Sequence, residues 1–168
     1  ENKKTGSFLA AASFSGDTGD GISIGLKDYN ILGKGNEINS SFNLNTEQTR
    51  FDIKYSQYPL LNPNLRNDYL IFNQDQDYTD SFGYKTSNVG LGYNLNFLYS
   101  ENTHFASGFK ISSTEGHNPI NNTLVVSDNI GSFEQLSLNI GIRYDTTNDI
   151  LYPTNGVLNK ISAEFSPS

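Results

Sequence analysis

Cysteine, methionine and tryptophan are all absent from this chain of 168 residues. Without Cys there is no disulfide framework and no thiolate to hold a metal or act as a nucleophile. Positive charge is scarce: 11 Lys and Arg stand against 18 Asp and Glu, for a net charge of −7 and an isoelectric point near 4.6. The basic residues are scattered singly, which excludes a nucleic-acid surface, because phosphate neutralisation needs Lys and Arg in clusters. No run approaches the roughly 18 apolar residues of a helical membrane span. That excludes a helical membrane protein but leaves a barrel open, since barrel strands carry their hydrophobicity in alternation and look hydrophilic on average. A mean hydropathy of −0.50 is compatible with that. The chain begins at Glu1 with no secretory leader, and it reads as an excised piece of a longer precursor.

What is present is a period of two. Val89, Leu91, Tyr93, Leu95 and Phe97 alternate with Asn88, Gly90, Gly92, Asn94 and Asn96, and such a period puts the large apolar side chains on one face of a strand. The same pattern recurs along the chain and predicts an all-β, antiparallel up-and-down meander of about nine strands with no helix. A first strand runs from Gly6 to Phe14 and is followed by a Gly/Asp loop. Further strands are marked by Ile22, Ile24 and Leu26, by Ile38, Phe42 and Leu44, and by Phe51, Ile53 and Tyr55. The turns between them fall at Gly33-Lys34-Gly35 and Thr46 to Thr49, and Pro59 and Pro63, which cannot donate to a ladder, close the fourth strand. A fifth strand around Asp68 to Gln74 has no assignable parity, because Tyr69-Leu70-Ile71-Phe72 is apolar on both faces. After the alternating sixth come a strand with Phe105, Phe109 and Ile111, a loop from Thr114 to Gly131, a strand from Leu136 to Tyr144, and a ninth from Val157 to Phe165.

The charges then separate the faces. Lys27, Asp52, Lys54, Lys110, Arg143, Lys160 and Glu164 all fall on the parity opposite the apolar residues. A Lys or Arg at the lipid-facing midplane costs about 2–4 kcal/mol, so a bilayer would enforce this segregation. A soluble β-sandwich would enforce it as well. Tyrosine discriminates better. In a meander the even-numbered strands all finish at one rim, and Tyr29, Tyr58, Tyr99, Tyr144 and Tyr152 sit at those ends, as membrane-interface aromatics do. Strand lengths of 8 to 12 residues suit the roughly 9–11 that a tilted strand needs to cross a bilayer.

Candidate chemistry elsewhere is thin. His104 in a turn and His117 in the long loop lie on different elements and make surface residues rather than a zinc site. Asp75, Asp77 and Asp80 lack the Gly and closing Glu of a calcium loop and read as a solvated turn. Gly33-Lys34-Gly35 has neither the third glycine nor the following helix of a phosphate cradle. The Asn-x-Ser/Thr matches at Asn39 and Asn121 are of a kind frequent by chance in an Asn-rich chain. Arg143 near Asp145 makes a structural ion pair. The expectation is therefore no catalytic residues, no metal and no cofactor.

Four elements carry a resemblance. Thr5-Gly6-Ser7-Phe8 with the Gly/Asp loop, Asn30-Ile31-Leu32-Gly33-Lys34-Gly35, Gln57-Tyr58-Pro59-Leu60, and Tyr144-Asp145 through Leu151-Tyr152-Pro153-Thr154-Asn155-Gly156 resemble, in order and spacing, the barrel opening of BamA-type outer-membrane assembly factors, the bacterial surface antigen family. Thr147 stands where that family usually has Arg, and the Pro-Tyr order near Pro59 is altered. The resemblance implies an integral protein of the Gram-negative outer membrane and a complete barrel of roughly sixteen strands, of which these residues form the N-terminal half. Periplasmic repeats would precede them, and a lumenal R-G-F loop and closing strand would follow. It implies a non-enzymatic insertion factor whose partners are the bilayer, unfolded outer-membrane clients and assembly-complex lipoproteins. Clients would pair with the seam strand Gly6, Ser7, Phe8, Leu9, Ala10, Ala11, Ala12, Ser13 and Phe14, whose small side chains give weak pairing; those same small residues would also simply fit a crowded lumen. A two-partner-secretion or autotransporter-assembly translocator of the same superfamily, a passive porin-like barrel and a soluble β-sandwich adhesin are the alternatives.

Overall fold

The computed structural model describes residues 5–14, 20–117, 131–149 and 151–167. Its elements are β1 (Gly6–Ser13), β2 (Gly21–Ile31), β3 (Asn36–Leu44), β4 (Gln48–Gln57), β5 (Leu65–Tyr78), α1 (Thr79–Phe82), β6 (Tyr84–Ser100), β7 (Thr103–His117), β8 (Ser132–Asp145) and β9 (Leu158–Phe165). The strands form one 9-stranded sheet in chain order. Each pairs antiparallel with the next, and among the described residues β1 and β9 are the outer strands. An open sheet is the physical outcome expected of a partial barrel, whose edges vanish only on closure.

Register fixes the faces. Tyr55, Tyr69, Tyr93, Phe109, Leu138 and Phe165 are successive cross-strand partners from β4 to β9, and Ala10, Ile24, Phe42 and Phe51 continue that face from β1 to β4. Directly opposed residues share a face, so the apolar parity read from the sequence is coherent across the whole sheet. Lys27, Arg50, Lys54, Arg66, Lys110, Arg143 and Lys160 stand on the other face, together with Glu37, Asp52, Asp68, Asp145 and Glu164. Cations outnumber carboxylates there, in a chain of net charge −7.

Burial is inverted relative to a water-soluble domain. Among the described residues no hydrophobic side chain is buried, and the buried ones are Asn36, Ser56, Asp68, Ser112 and Ser137. Ile24, Phe51, Ile71, Leu91, Ile111 and Ile140 are all exposed on the apolar face. A continuous apolar face of this kind is not tolerated in water, and it is stable where lipid is the solvent.

The ambiguous run on β5 resolves through its neighbour. Tyr69 and Ile71 take the apolar face, while Leu70 and Phe72 lie opposite Gly92 and Gly90 on the polar face. The glycines leave the room: a Cβ at Gly90 would meet Phe72 Cζ at 2.5 Å. Lys110 Nζ completes the stack 4.7 Å from the Phe72 ring centroid. The large ring covers the bare glycine backbone, the device known as aromatic rescue.

Three expectations need correction. The strands are not uniformly 8 to 12 residues: β5, β6, β7 and β8 reach 14, 17, 15 and 14. They lengthen because backbone pairing continues past the apolar stretch through polar residues, which carry no hydrophobic signal. For the same reason β7 runs to His117 and β8 starts at Ser132, so the loop expected from Thr114 to Gly131 is shorter, and its residues 118–130 lie outside the described ones. One short helical turn also exists, α1, closed by Gly83 at φ 77° and packed through ring contacts among Tyr78, Phe82 and Tyr84.

Candidate functional site

The free edge of β1 is the first feature with functional geometry. Each of its residues, Gly6 to Ser13, is exposed, and among the described residues β2 is its single partner. Phe8, Ala10 and Ala12 share the apolar face with Leu26, Ile24 and Ile22, while Ser7, Leu9, Ala11 and Ser13 take the polar one. Phe14 follows the strand and is 82% exposed. The three alanines give each face little to pack, so the edge is held by its ladder to β2 alone. An unpaired row of main-chain donors and acceptors on such an edge is a template for another strand.

The tyrosines of the even-strand ends share a rim but not a face. Tyr99 lies against Phe97 and Phe105 at centroid distances of 6.4 and 6.1 Å, and Tyr144 lies on the apolar parity opposite Thr103. Tyr29 instead lies beneath the Lys27 ammonium, 4.4 Å from its ring centroid, on the polar side. The Tyr58 hydroxyl donates to Glu37 Oε1 at 3.3 Å, also on the polar side. Tyr152 sits in the β8–β9 turn, 82% exposed.

A second aromatic row escaped the sequence reading. Tyr55, Tyr69, Tyr93 and Phe109 form successive ring contacts at 6.1, 5.3 and 5.9 Å on the apolar face. Two of the hydroxyls are hydrogen-bonded: Tyr93 donates to Asn67 at 2.7 Å and Tyr55 accepts from Asn36 at 2.8 Å. The signal was a Tyr at matching height on three consecutive strands, and the unassigned parity of β5 concealed it.

Behind this row the polar face holds an ionic knot. Asp68 accepts from Ser56 at 2.6 Å and from Asn96 at 3.1 Å, and it pairs with Lys54 at 3.3 Å and Arg66 at 3.0 Å. Both oxygens of this buried carboxylate are thereby engaged, Oδ1 by Ser56 and Oδ2 by the other three, as burial of a charge requires. Asp52 accepts from Arg50 Nε at 2.7 Å and from Ser41. Arg143 pairs with Asp145 as the sequence implied.

The histidines are placed differently from the sequence reading. Both are on β7, His104 near its start and His117 at its last residue, and they fall on opposite faces because their numbers differ in parity. Asp75 and Asp77 are strand residues rather than turn residues: Asp75 accepts from Ser87 at 2.6 Å and Asp77 pairs with Lys85 at 2.5 Å, while Asp80 lies in α1. Among the described residues no group of His, Asp and Glu converges as a metal site would require.

The β8–β9 turn is built from side-chain caps. Asn148 Oδ1 accepts from the Thr154 and Asn155 amides at 3.1 and 3.0 Å, and Asp149 Oδ1 accepts from the Leu151 and Tyr152 amides at 2.7 and 2.8 Å. Those two amides hold the Asp149 carboxyl below its ordinary pKa. Gly156 has φ 107°, and a Cβ there would run into the Thr146 carbonyl.

Comparison with known proteins agrees with this architecture. A family model described as the Omp85 superfamily domain matches residues 30–167. The crystal structure of BamA from Haemophilus ducreyi lacking POTRA domains 1–3 superposes with a TM-score of 0.68 at 22% sequence identity. That match covers 99% of this chain and 35% of the other, and at such identity it speaks for the fold. No curated protein matches the sequence.

Proposed function

This chain belongs to the Omp85 superfamily, and from that premise we propose that it forms part of an outer-membrane barrel that inserts or translocates other outer-membrane polypeptides without covalent chemistry. The observation that carries the reading is the exposed, alanine-rich outer edge of β1, which among the described residues carries no second strand. An incoming strand pairs with that edge, gaining main-chain hydrogen bonds outside water, and leaves when its own closure offers better pairing. The clients are unfolded outer-membrane proteins, and the lipoproteins of an assembly complex are partners. The apolar face sits in lipid, with Tyr99 and Tyr144 at one interface, where an apolar ring meets a wet hydroxyl.

Ala10 is the residue to test, since it sits mid-edge with a small side chain. In the full-length protein, Ala10→Cys should form a disulfide with Cys placed in the C-terminal strand of a stalled client. Crosslinks confined to the protein's own last strand would sink the templating mechanism.

A further inference from the structure

The basic excess of the polar face gathers at one corner. His104, Arg143 and Lys160 are direct cross-strand partners on β7, β8 and β9. With Arg66 they line a cavity of about 510 Å³, floored by Ala106 and Gly141 and edged by Tyr58 at the even rim. Compensation there is incomplete. Arg143 holds Asp145, and Arg66 shares Asp68 with Lys54, but among the described residues neither Lys160 nor His104 has an acidic partner. The Arg66 Nε is buried with no hydrogen-bond partner. Like charges directly opposed across two strands weaken a sheet, so the Arg143–Lys160 juxtaposition is an arrangement that an incoming anion relieves.

From this juxtaposition we propose that the His104–Arg143–Lys160 row is a docking site for an acidic stretch of an unfolded client polypeptide entering at the even rim, an inference that rests on the insertion reading above. Three observations select this partner. The row stands on the polar face, away from the apolar one, so lipid tails do not bring headgroups to it. The cavity is large enough for a few side chains and too small for a folded domain. The row is complementary to a polypeptide with the acidic excess that this chain itself carries, a net charge of −7, and of the other cations on this face Arg50 and Lys54 already hold carboxylates while Lys27 and Lys110 lie against the Tyr29 and Phe72 rings.

The test uses the full-length protein in nanodiscs of phosphatidylcholine and a short fluorescein-labelled peptide rich in Asp and Glu, with its Asn/Gln counterpart and inorganic phosphate as the other arms. Fluorescence polarisation should show binding of the acidic peptide alone, weakening steeply with salt. It should weaken about tenfold or more in a His104→Gln/Lys160→Gln variant. Arg50→Gln, on the same face but away from the row, should bind as the parent does. Heat-modifiable gel mobility verifies that each variant keeps its barrel. Equal binding of the two peptides, unchanged affinity in the double variant, no binding by the parent, or displacement of the acidic peptide by millimolar phosphate would overturn the proposal. The Ala10→Cys crosslink is run on the same double variant: its persistence while acidic-peptide binding is lost supports the row as a separate site. Its absence in the parent, with charge discrimination intact, overturns the insertion reading and leaves the anion row standing.

Discussion

Gly90 and Phe72 face each other across β5 and β6, and their fit sets a sharp residue-scale expectation. Gly90→Ala drives a methyl into both the Phe72 ring and the Ile111 carbonyl, each 2.5 Å from the added atom, and should cost about 1–3 kcal/mol. Gly92→Ala meets nothing closer than 3.5 Å and should stay within about 0.5 kcal/mol of the parent. Urea unfolding in detergent, followed by tyrosine fluorescence, separates the two. The pairing was half legible: the glycines of β6 stood out in the alternation, but which of the four apolar residues of β5 faced them was not, because that run gives no parity. At Asp149 the sign of a pH effect follows from its caps. Its carboxyl is held below the ordinary value by the Leu151 and Tyr152 amides, so its contribution is complete above about pH 4, the unperturbed range, and is lost as pH falls through the lowered value. Amide chemical shifts of Leu151 and Tyr152 should therefore move only in acid, and Asp149→Asn should abolish that titration.

At the scale of elements, β8 supplies the cleanest comparison of the two faces. Leu138 lies between Phe109 and Phe165 on the apolar face, and its neighbour Asn139 lies between Gly108 and Glu164 on the polar one. Leu138→Lys should destabilise the inserted protein by about 2–4 kcal/mol, whereas Asn139→Lys gains Glu164 as a neighbour and should be near neutral. Folding yields into vesicles across a urea series measure the difference, and equal tolerance at both sites would sink the one-sided reading of the sheet. The number and order of the strands were legible, because alternation and turn residues repeat with them. Their ends were less so. Asp75, Asp77, Lys85 and Glu115 prolong β5, β6 and β7 beyond the apolar stretch, and ladder hydrogen bonds form regardless of side-chain polarity. His104 and His117 were misplaced for that reason. The even-end tyrosines share one rim, yet their faces divide by parity: Tyr29 and Tyr58 count with the polar residues Lys27 and Lys54 of their strands, whereas Tyr144 counts with the apolar Leu138 and Ile140.

Across the described residues the sheet is a wall whose outer strands are β1 and β9. In detergent, residues 1–168 by themselves should associate edge to edge, with light scattering giving masses above the 18.6 kDa of one chain, and Pro at Ala10 should reduce that association by removing a donor from the edge. The edge of β1 was visible in the sequence only as a run of small residues, and its candidacy came from the family resemblance rather than from pattern. The anion row was invisible for a different reason: His104, Arg143 and Lys160 are distant in sequence and meet only through the register of three strands. β1 has 8 residues, and at about 3.3 Å per residue with a tilt near 40° it covers roughly 20 Å, less than the ~25 Å apolar band of outer-membrane barrels. On the insertion mechanism proposed above, lipid beside this strand shortens to match it, and the thinner, more disordered hydrocarbon layer lowers the barrier to strand entry there.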